Sequence, residues 1–269
     1  MSEDVFDERF NPSEQRESDS GKLYIREETG RTFELQARLR ANFMVRRLKS
    51  DVLPQLKLPV LDIVHVEETG PVKQALFAES LLDIDPETMT GVDAKILGDV
   101  STVRRMMGIA IAPQAAEYVA MILEGGEEKV VVFAWHTSVL DILEQKLARF
   151  HPLRIDGSTP PSQRQKRIKY FRLPAHRVII GNMLAMGIGT DGLQDVCQRG
   201  VAAEADWVPG VNEQCIDRLH RMGQLGQVQF DFLVAAGSFA EKVLGTSLRK
   251  KQTTHKALDH KYVNEDWSV

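Results

Sequence analysis

The spacing of apolar and polar residues changes near residue 126. Beyond this point, short apolar runs alternate with stretches in which apolar residues recur at helical spacing. The run KVVVFAW (129–135) consists of β-branched and aromatic residues, which is typical of a strand buried on both faces. The stretch after it carries an apolar stripe formed by Val139, Leu140, Leu143 and Leu147. A buried strand followed by an amphipathic helix is therefore the first predicted unit of this part.

The same alternation continues along the chain. Further strands are predicted at PLRID, HRVII, GVAAEA and VQFDFLV, and further helices after Pro160-Pro161, over 211–222 and from Ser238. Strands that alternate with helices of ordinary length indicate an α/β fold, with a parallel sheet covered by helices on both faces. Ligands of such sheets bind beyond the carboxyl ends of the strands. A site is therefore expected in the loops after Trp135, Asp156, Gly181 and Glu204.

The first 125 residues follow a different pattern. Residues 1–32 are polar without a clear period and are interpreted as irregular. Helices are predicted over 33–50, 71–90 and 99–124, and IVHVEE alternates like a strand. The predicted domains are an N-terminal segment (1–32), a mainly helical linker region (33–125), an α/β domain (126–250) and a C-terminal tail (251–269).

Composition indicates the broad class of protein. Apolar residues make up 43% of the chain and charged residues 27%, as in globular proteins. No apolar run approaches the roughly 20 residues that a membrane helix needs. Cys197 and Cys215 lack the spacing of a zinc site or of a disulfide framework, which favours a reducing, intracellular compartment.

The distribution of charge suggests a candidate partner. The net charge is −4, yet no acidic residue occurs between Gly157 and Thr190. The basic residues of that interval are Arg164, Lys166, Arg167, Lys169, Arg172 and Arg177, and a second basic cluster runs from Arg38 to Lys49. Each cluster is a candidate for neutralising nucleic-acid phosphates. Charge runs are also common on solvated helix faces, so both interpretations stay open.

The predicted helix over 211–222 contains the most informative spacing. Gln214, Arg218 and Arg221 lie at i, i+4 and i+7 and would project from one side of it. An apolar stripe formed by Val211, Cys215, Leu219 and Met222 would pack on the sheet. Two guanidinium groups at the margin of that stripe suit a phosphate chain. An exposed helix with an Asp217–Arg221 ion pair fits the same spacing.

The segment QCIDRLHRMGQ (214–224) resembles the last helicase motif of the Swi/Snf-related ATPases, whose pattern is Q-x-x-D-R-x-H-R-x-G-Q. Other segments resemble further motifs of that family, in the family's order. They are NFMVRRLKSDVLPQL (42–56), RRMMGIAIAP (104–113), KVVVFAWHTSVLDILEQKL (129–147), RIDGST (154–159), MGIGTDGLQ (186–194) and EADWVPG (204–210). The resemblance covers roughly residues 40–240 and is strongest to the annealing-helicase branch. It implies the C-terminal RecA-like motor lobe of a helicase-like ATPase.

The resemblance also implies roles for individual residues. Arg218 and Arg221 are the implied catalytic residues, which would act on the γ-phosphate of ATP. The implied ATP-binding residues are Gln214, Gly187, Gly189 and Asp191. The implied DNA-binding residues are His136, Thr137, Ser158, Thr159, Arg164 and Asn182, the last in place of the family's usual hydroxyl residue. No metal ligands are predicted.

The sequence contains no phosphate-binding loop of the pattern G-x-x-x-x-G-K-[S/T]. ATP and Mg²⁺ are therefore expected only when this lobe is paired with a first RecA-like lobe. That lobe would be on another chain or in a longer parent protein. Double-stranded DNA is the other expected partner, and no membrane association is expected. The expected location is the cytoplasm, in association with the nucleoid, or the nucleus in a eukaryote.

Two other functions remain open at this point. One is a non-enzymatic module derived from such a lobe, which binds DNA or a partner motor and hydrolyses nothing. The other is a dinucleotide-dependent oxidoreductase, suggested by the G-x-G within MGIGTDGLQ. That G-x-G lies late in the predicted sheet and not after its first strand, which argues against the oxidoreductase.

Overall fold

The computed structural model describes residues 9–10, 13–17, 23–27, 31–42, 44–45, 47, 49–82, 94–187 and 190–245. The chain forms two compact units. The first comprises residues Met1–Val52, Ile84–Gly91 and Gly245–Val269, and the second comprises Leu53–Asp83 and Val92–Leu244. The predicted start of the α/β domain at residue 126 is too late, because a strand and a long helix before that residue belong to the second unit.

Among its described residues, the first unit contains an antiparallel pair of strands and helical segments. Strands β1 (Ser13–Glu17) and β2 (Leu23–Glu27) pair antiparallel, and α1 (Thr32–Asn42) and α2 (Lys49–Val52) follow. The prediction of an irregular segment over 1–32 is wrong. The segment SEQRE contains no apolar residue, but it forms a strand because it pairs with the segment LYIRE. The helix predicted over 33–50 ends at Asn42, whose side-chain amide competes with the backbone for the carbonyl of Arg38.

The second unit is built on a six-stranded sheet in which every pairing is parallel. The strand order is β3-β8-β7-β4-β6-β5. The strands are β3 (Val60–His65), β4 (Val130–Ala134), β5 (Leu153–Ile155), β6 (Val178–Asn182), β7 (Arg199–Ala202) and β8 (Gln229–Val234). Its helices include α3 (Gly70–Ser80), α4 (Ala94–Glu124), α5 (Thr137–Lys146), α6 (Pro161–Phe171), α7 (Met183–Gly187) and α8 (Pro209–Ile216), with a 3-10 turn at Ala148–Phe150.

Hydrophobic clusters cover the sheet on both faces. One cluster joins the strands to α3, α4 and α5, and the other joins them to α6, α7 and α8. Strand β4 divides its side chains between them, with Val132 in the first cluster and Phe133 in the second, and all five of its residues are buried. The predicted RecA-like α/β class is therefore confirmed.

Helix α4 contains a long segment of mostly apolar residues. Its segment Gly98–Glu124 is long and apolar enough to cross a membrane, with a mean hydropathy of 1.4. Met107, Ala112 and Val119 of this helix pack in the cluster that lies on the sheet. Pro113 lies within it without ending it. We therefore assign α4 to the core of the second unit.

Two predicted helices are shorter than expected. The helix predicted over 71–90 ends at Ser80, and residues 83–93 lie outside the described residues. The helix predicted over 211–222 ends at Ile216, and the chain then turns until Gly223, whose φ is +99°. Met222, predicted to pack on the sheet, is 72% exposed. The final helix predicted from Ser238 is present over 239–245, after which the described residues end.

Candidate functional site

The carboxyl ends of the parallel strands meet at one edge of the sheet, and the predicted site residues lie along that edge. Residues 135–137 follow β4, residues 156–159 follow β5, and residues 203–206 follow β7. Asn182 is the last residue of β6 and leads into α7. We call the turn that follows α8, residues 217–223, the arginine turn because it carries Arg218 and Arg221.

Arg218 lies inside the arginine turn and not on a free surface. Its Nη1 donates to the carbonyl of Thr190 at 3.1 Å, and its Nη2 donates to the carbonyl of Gly187. The guanidinium group therefore bridges the two described ends of the loop between α7 and residue 190. Burial and the nearby charge of Arg221 lower the pKa of Arg218. We therefore expect alanine at this position to cost stability, because two backbone carbonyls would lose their donor.

Arg221 is the more accessible of the two arginines. Its Nη1 lies 3.3 Å from Asp191 Oδ1, and the two side chains are 36% and 64% exposed. Gln194 Nε2 also donates to Asp191 Oδ1 at 3.0 Å, and this bond, with the charge of Arg221, lowers the pKa of Asp191. Arg221 thus pairs with Asp191 in the segment that follows α7, whereas the exposed-helix interpretation paired it with Asp217. The pair leaves a cation facing solvent at the edge of the sheet.

The other predicted ATP-binding residues lie close to the arginines. Gly187 is buried at the end of α7, and a Cβ built on it would lie 3.4 Å from Gln214 Oε1. Gln214 itself is exposed on α8. Gly189 lies outside the described residues. The structure therefore brings Gln214, Gly187 and Asp191 together around the arginine turn.

His136 is held by a buried carboxylate that the motifs did not single out as a site residue. Glu204 Oε1 lies 2.6 Å from His136 Nδ1, and Glu204 Oε2 accepts the backbone N–H groups of Trp135 and His136 at 2.8 and 2.9 Å. Both side chains are largely buried. The only indication in the sequence is an acidic residue directly after a small, apolar strand. Thr137, the first residue of α5, is exposed beside His136.

The turn after β5 is organised around Asp156. Ser158 Oγ donates to Asp156 Oδ1 at 2.6 Å, and the hydroxyl of Thr159 accepts the Asp156 N–H at 3.1 Å. The bond from Ser158, followed by those from Arg154 and Thr159, lowers the pKa of Asp156 to about 2. Ser158 is exposed, whereas Thr159 is buried. Of the two predicted DNA contacts in this turn, only Ser158 therefore presents its side chain to solvent.

Arg164 and Asn182 hold loops in place through their side chains. Arg164 donates to the carbonyls of Thr159 and Ala185 at 2.9 and 3.0 Å. Asn182 Oδ1 accepts the backbone N–H groups at the start of α7, and its Nδ2 donates to the carbonyl of Trp135 at 2.5 Å. These contacts explain why an amide can stand at position 182, since it joins the ends of β4 and β6.

Fewer basic side chains between residues 157 and 190 are available to bind phosphates than the sequence indicates. Arg167 and Arg177 donate to backbone carbonyls, and Arg172 pairs with Asp195. Lys166 and Lys169 of α6 are exposed. The phosphate-neutralising capacity predicted from six basic residues is therefore reduced by contacts within the protein.

Residues 114–223 match the family described as helicase conserved C-terminal domain. The chain is 33% identical over 227 residues to the SWI/SNF-related matrix-associated actin-dependent regulator of chromatin subfamily A-like protein 1 of Xenopus tropicalis, covering 81% of this chain and 23% of that protein. It is 30% identical over 229 residues to the DNA annealing helicase and endonuclease ZRANB3 of Bos taurus, covering 82% and 21%. A crystal structure of the C-terminal part of the Fun30 ATPase domain matches with a TM-score of 0.45 at 20% identity, over 80% of this chain and 81% of that chain.

Residues 114–223 therefore resemble a helicase conserved C-terminal domain. The relatives that it resembles are a SWI/SNF-related protein and an annealing helicase, and the resemblance drawn from the motifs is confirmed. The chain spans less than a quarter of the length of these relatives.

Proposed function

We propose that this chain is the C-terminal RecA-like lobe of an ATP-dependent double-stranded DNA translocase. In this proposal it contributes an arginine to ATP hydrolysis and a surface that follows DNA. The observation that carries the proposal is the position of Arg221. Its guanidinium group is accessible at the carboxyl edge of the sheet, 3.3 Å from Asp191 and on the same turn as Arg218. An accessible arginine in this place can reach a phosphate that is held by a facing lobe.

The two arginines have different roles in this proposal. Arg221 contacts the γ-phosphate and stabilises the negative charge that develops in the transition state. Arg218 is a positioning residue, because its donors are used on the carbonyls of Gly187 and Thr190. Gln214 and Asp191 would then border the nucleotide on the side of this lobe.

The first RecA-like lobe supplies what this chain does not. The sequence has no phosphate-binding loop, and within the described residues no group of three His, Cys, Asp or Glu side chains is placed to hold a metal ion. We therefore assign Mg²⁺ and the β- and γ-phosphates of ATP to that lobe. The bound Mg²⁺ would neutralise phosphate charge there, and this chain would complete the site with Arg221.

The proposed DNA surface follows the exits of β4 and β5. Thr137 and Ser158 are its contact residues, because both are exposed in the loops that follow β4 and β5 at the same edge of the sheet, and His136 lies beside Thr137 with a largely buried side chain. Thr159, Arg164 and Asn182 act indirectly, since their polar groups hold those loops together. Such contacts bind the phosphate backbone and do not distinguish one base sequence from another. Binding should therefore be weak, independent of sequence and dependent on salt.

An ATPase assay with two preparations tests the proposal. One contains this chain by itself, and the other is the joined motor, by which we mean a polypeptide or complex that unites this chain with a first RecA-like lobe that carries a P-loop. We expect DNA-stimulated hydrolysis only in the joined motor. Rapid hydrolysis by the chain alone would overturn the proposal. DNA binding without hydrolysis in the joined motor would favour the non-enzymatic module instead.

A further inference from the structure

Helix α4 reaches the candidate site through an arginine that the proposed function does not use. Arg104 Nη2 donates to Asp206 Oδ2 at 2.8 Å, and the two side chains are 15% and 1% exposed. The guanidinium carbon lies 4.6 Å from the ring centroid of Trp135 and 5.6 Å from that of Trp207. We call these four residues the Arg104 clamp. The clamp joins α4 to the exits of β4 and β7.

One side of the clamp leads to the arginine turn. Val208 N–H donates to Asp206 Oδ1 at 2.7 Å. The side-chain amide of Asn212 bonds both backbone groups of Asp206, each at 2.8 Å. Asn212 lies on α8, and the turn that carries Arg221 begins directly after that helix. The position of α8 is therefore fixed against the carboxylate that Arg104 holds.

The other side of the clamp leads to the proposed DNA surface. Trp135 directly precedes His136, and both residues donate their backbone N–H groups to Glu204 Oε2. Trp207 packs on Phe239, with ring centroids 4.3 Å apart. A single guanidinium group thus contacts the residue beside His136 and the residues that precede α8.

We propose that Arg104 is a positioning residue that couples the DNA-facing loop at His136 to the arginine turn. This inference rests on the proposed function, in which the two segments contact DNA and ATP. Asp206 is buried, so a displacement of Arg104 cannot be compensated by water. A planar guanidinium can stack on an indole and bond a carboxylate at the same time, whereas a lysine ammonium keeps the charge without that planar geometry.

Hydrogen exchange on this chain alone is the first test. Arg104→Lys retains the charge beside Asp206, and Arg105→Lys is the matched control because Arg105 is the exposed neighbour on the same helix. We expect amides of residues 135–137 and 206–221 to exchange about tenfold faster in Arg104→Lys, with β6 unchanged. The control should match the wild type. Faster exchange in only one of the two segments, or equally throughout the sheet, would overturn the coupling.

Turnover of the joined motor is the second test and separates this inference from the proposed function. We expect Arg104→Lys to lower kcat at saturating DNA about tenfold while KM for ATP stays within about twofold, because the arginine turn acts in the transition state. A normal kcat in Arg104→Lys, together with a large loss in Arg221→Ala, would overturn the coupling alone. A normal kcat in Arg221→Ala would overturn the proposed function.

Discussion

Replacement of Gly108 by alanine probes how closely α4 approaches the candidate site. A Cβ built on Gly108 would lie 2.2 Å from Glu204 Oε1 and 3.0 Å from Val139 Cγ2. The carboxylate must therefore move. It is buried, it accepts two backbone N–H groups from Trp135 and His136, and it contacts the imidazole of His136 at 2.6 Å. An alanine should consequently strain or break this group of contacts.

The expected loss follows from two opposing terms. A hydrogen bond to a charged group contributes about 1.5–3 kcal/mol, and more than one is affected. Replacement of glycine by alanine within a helix stabilises the folded state by about 1 kcal/mol. We expect Gly108→Ala to lower the free energy of unfolding by about 2 kcal/mol. In a unit of this size that corresponds to a Tm lower by about 4–8 °C.

Gly98→Ala is the matched control, because Gly98 lies on the same helix with no atom within 4 Å of its added Cβ. This variant should be about 0.5–1 kcal/mol more stable than the wild type. Urea denaturation and thermal melting, both followed by circular dichroism, measure the two effects. If Gly108→Ala proves as stable as Gly98→Ala, the close contact between α4 and Glu204 does not exist and the reasoning fails.

Three further predictions concern the site itself. Arg218→Ala should lower the free energy of unfolding measured in urea by about 2 kcal/mol, because two carbonyls lose their donor. Arg221→Ala should change it by no more than about 0.5 kcal/mol. Equal losses in the two variants would contradict the division of roles. Because the folded pKa of Asp156 is about 2, against an ordinary value of 3.8, its ionised form stabilises the fold above pH 3.8, by about 1 kcal/mol after allowance for solvent screening. That stability should be lost as pH falls from 3.8 to about 2. In Ser158→Ala the loss should occur at higher pH, because the hydrogen bond that lowers the pKa of Asp156 is missing. If the profiles of Tm against pH coincide for the wild type and the variant, Ser158 does not lower the pKa of Asp156. Lys166, which is exposed on α6, is a further candidate phosphate contact, so Lys166→Gln should reduce the slope of log affinity for DNA against log salt by about one; an unchanged slope would show that it contacts no phosphate.

The sheet was largely predictable because its strands are buried on both faces. A run such as VVVFA, with every residue in the core, has no polar position that could be mistaken for a helix face. The alternation of strands with helices then placed the loops at the carboxyl edge of the sheet. Strand β3 was predicted three residues late, because it is an edge strand whose side chains are mostly exposed.

The end of α8 could not be predicted from periodicity. Apolar spacing continues through Leu219, which is buried although it lies outside the helix. Gln224 donates to the carbonyls of Cys197 and Leu219, and these contacts with a distant strand entrance hold the chain in a turn. Periodicity reports which residues are buried, and it does not report which backbone conformation buries them.

The contacts that organise the site are too distant in sequence for motif reasoning. Glu204 and His136 are separated by 68 residues, and Arg104 and Asp206 by 102. The sequence therefore indicated the loops after β4 and β7 without indicating these partners. Buried carboxylates such as those of Glu204 and Asp206 require a partner in the fold, but only the fold identifies it.

Turnover of the joined motor with Arg221→Ala tests the central claim most directly. An arginine that acts on the transition state contributes on the order of 10³-fold or more to kcat. We expect a loss of that size, little recovery in Arg221→Lys, and an affinity for double-stranded DNA within about twofold of the wild type. Wild-type turnover in Arg221→Ala, or a loss that follows DNA affinity alone, would contradict the assignment of this chain as the arginine-bearing lobe of a translocase.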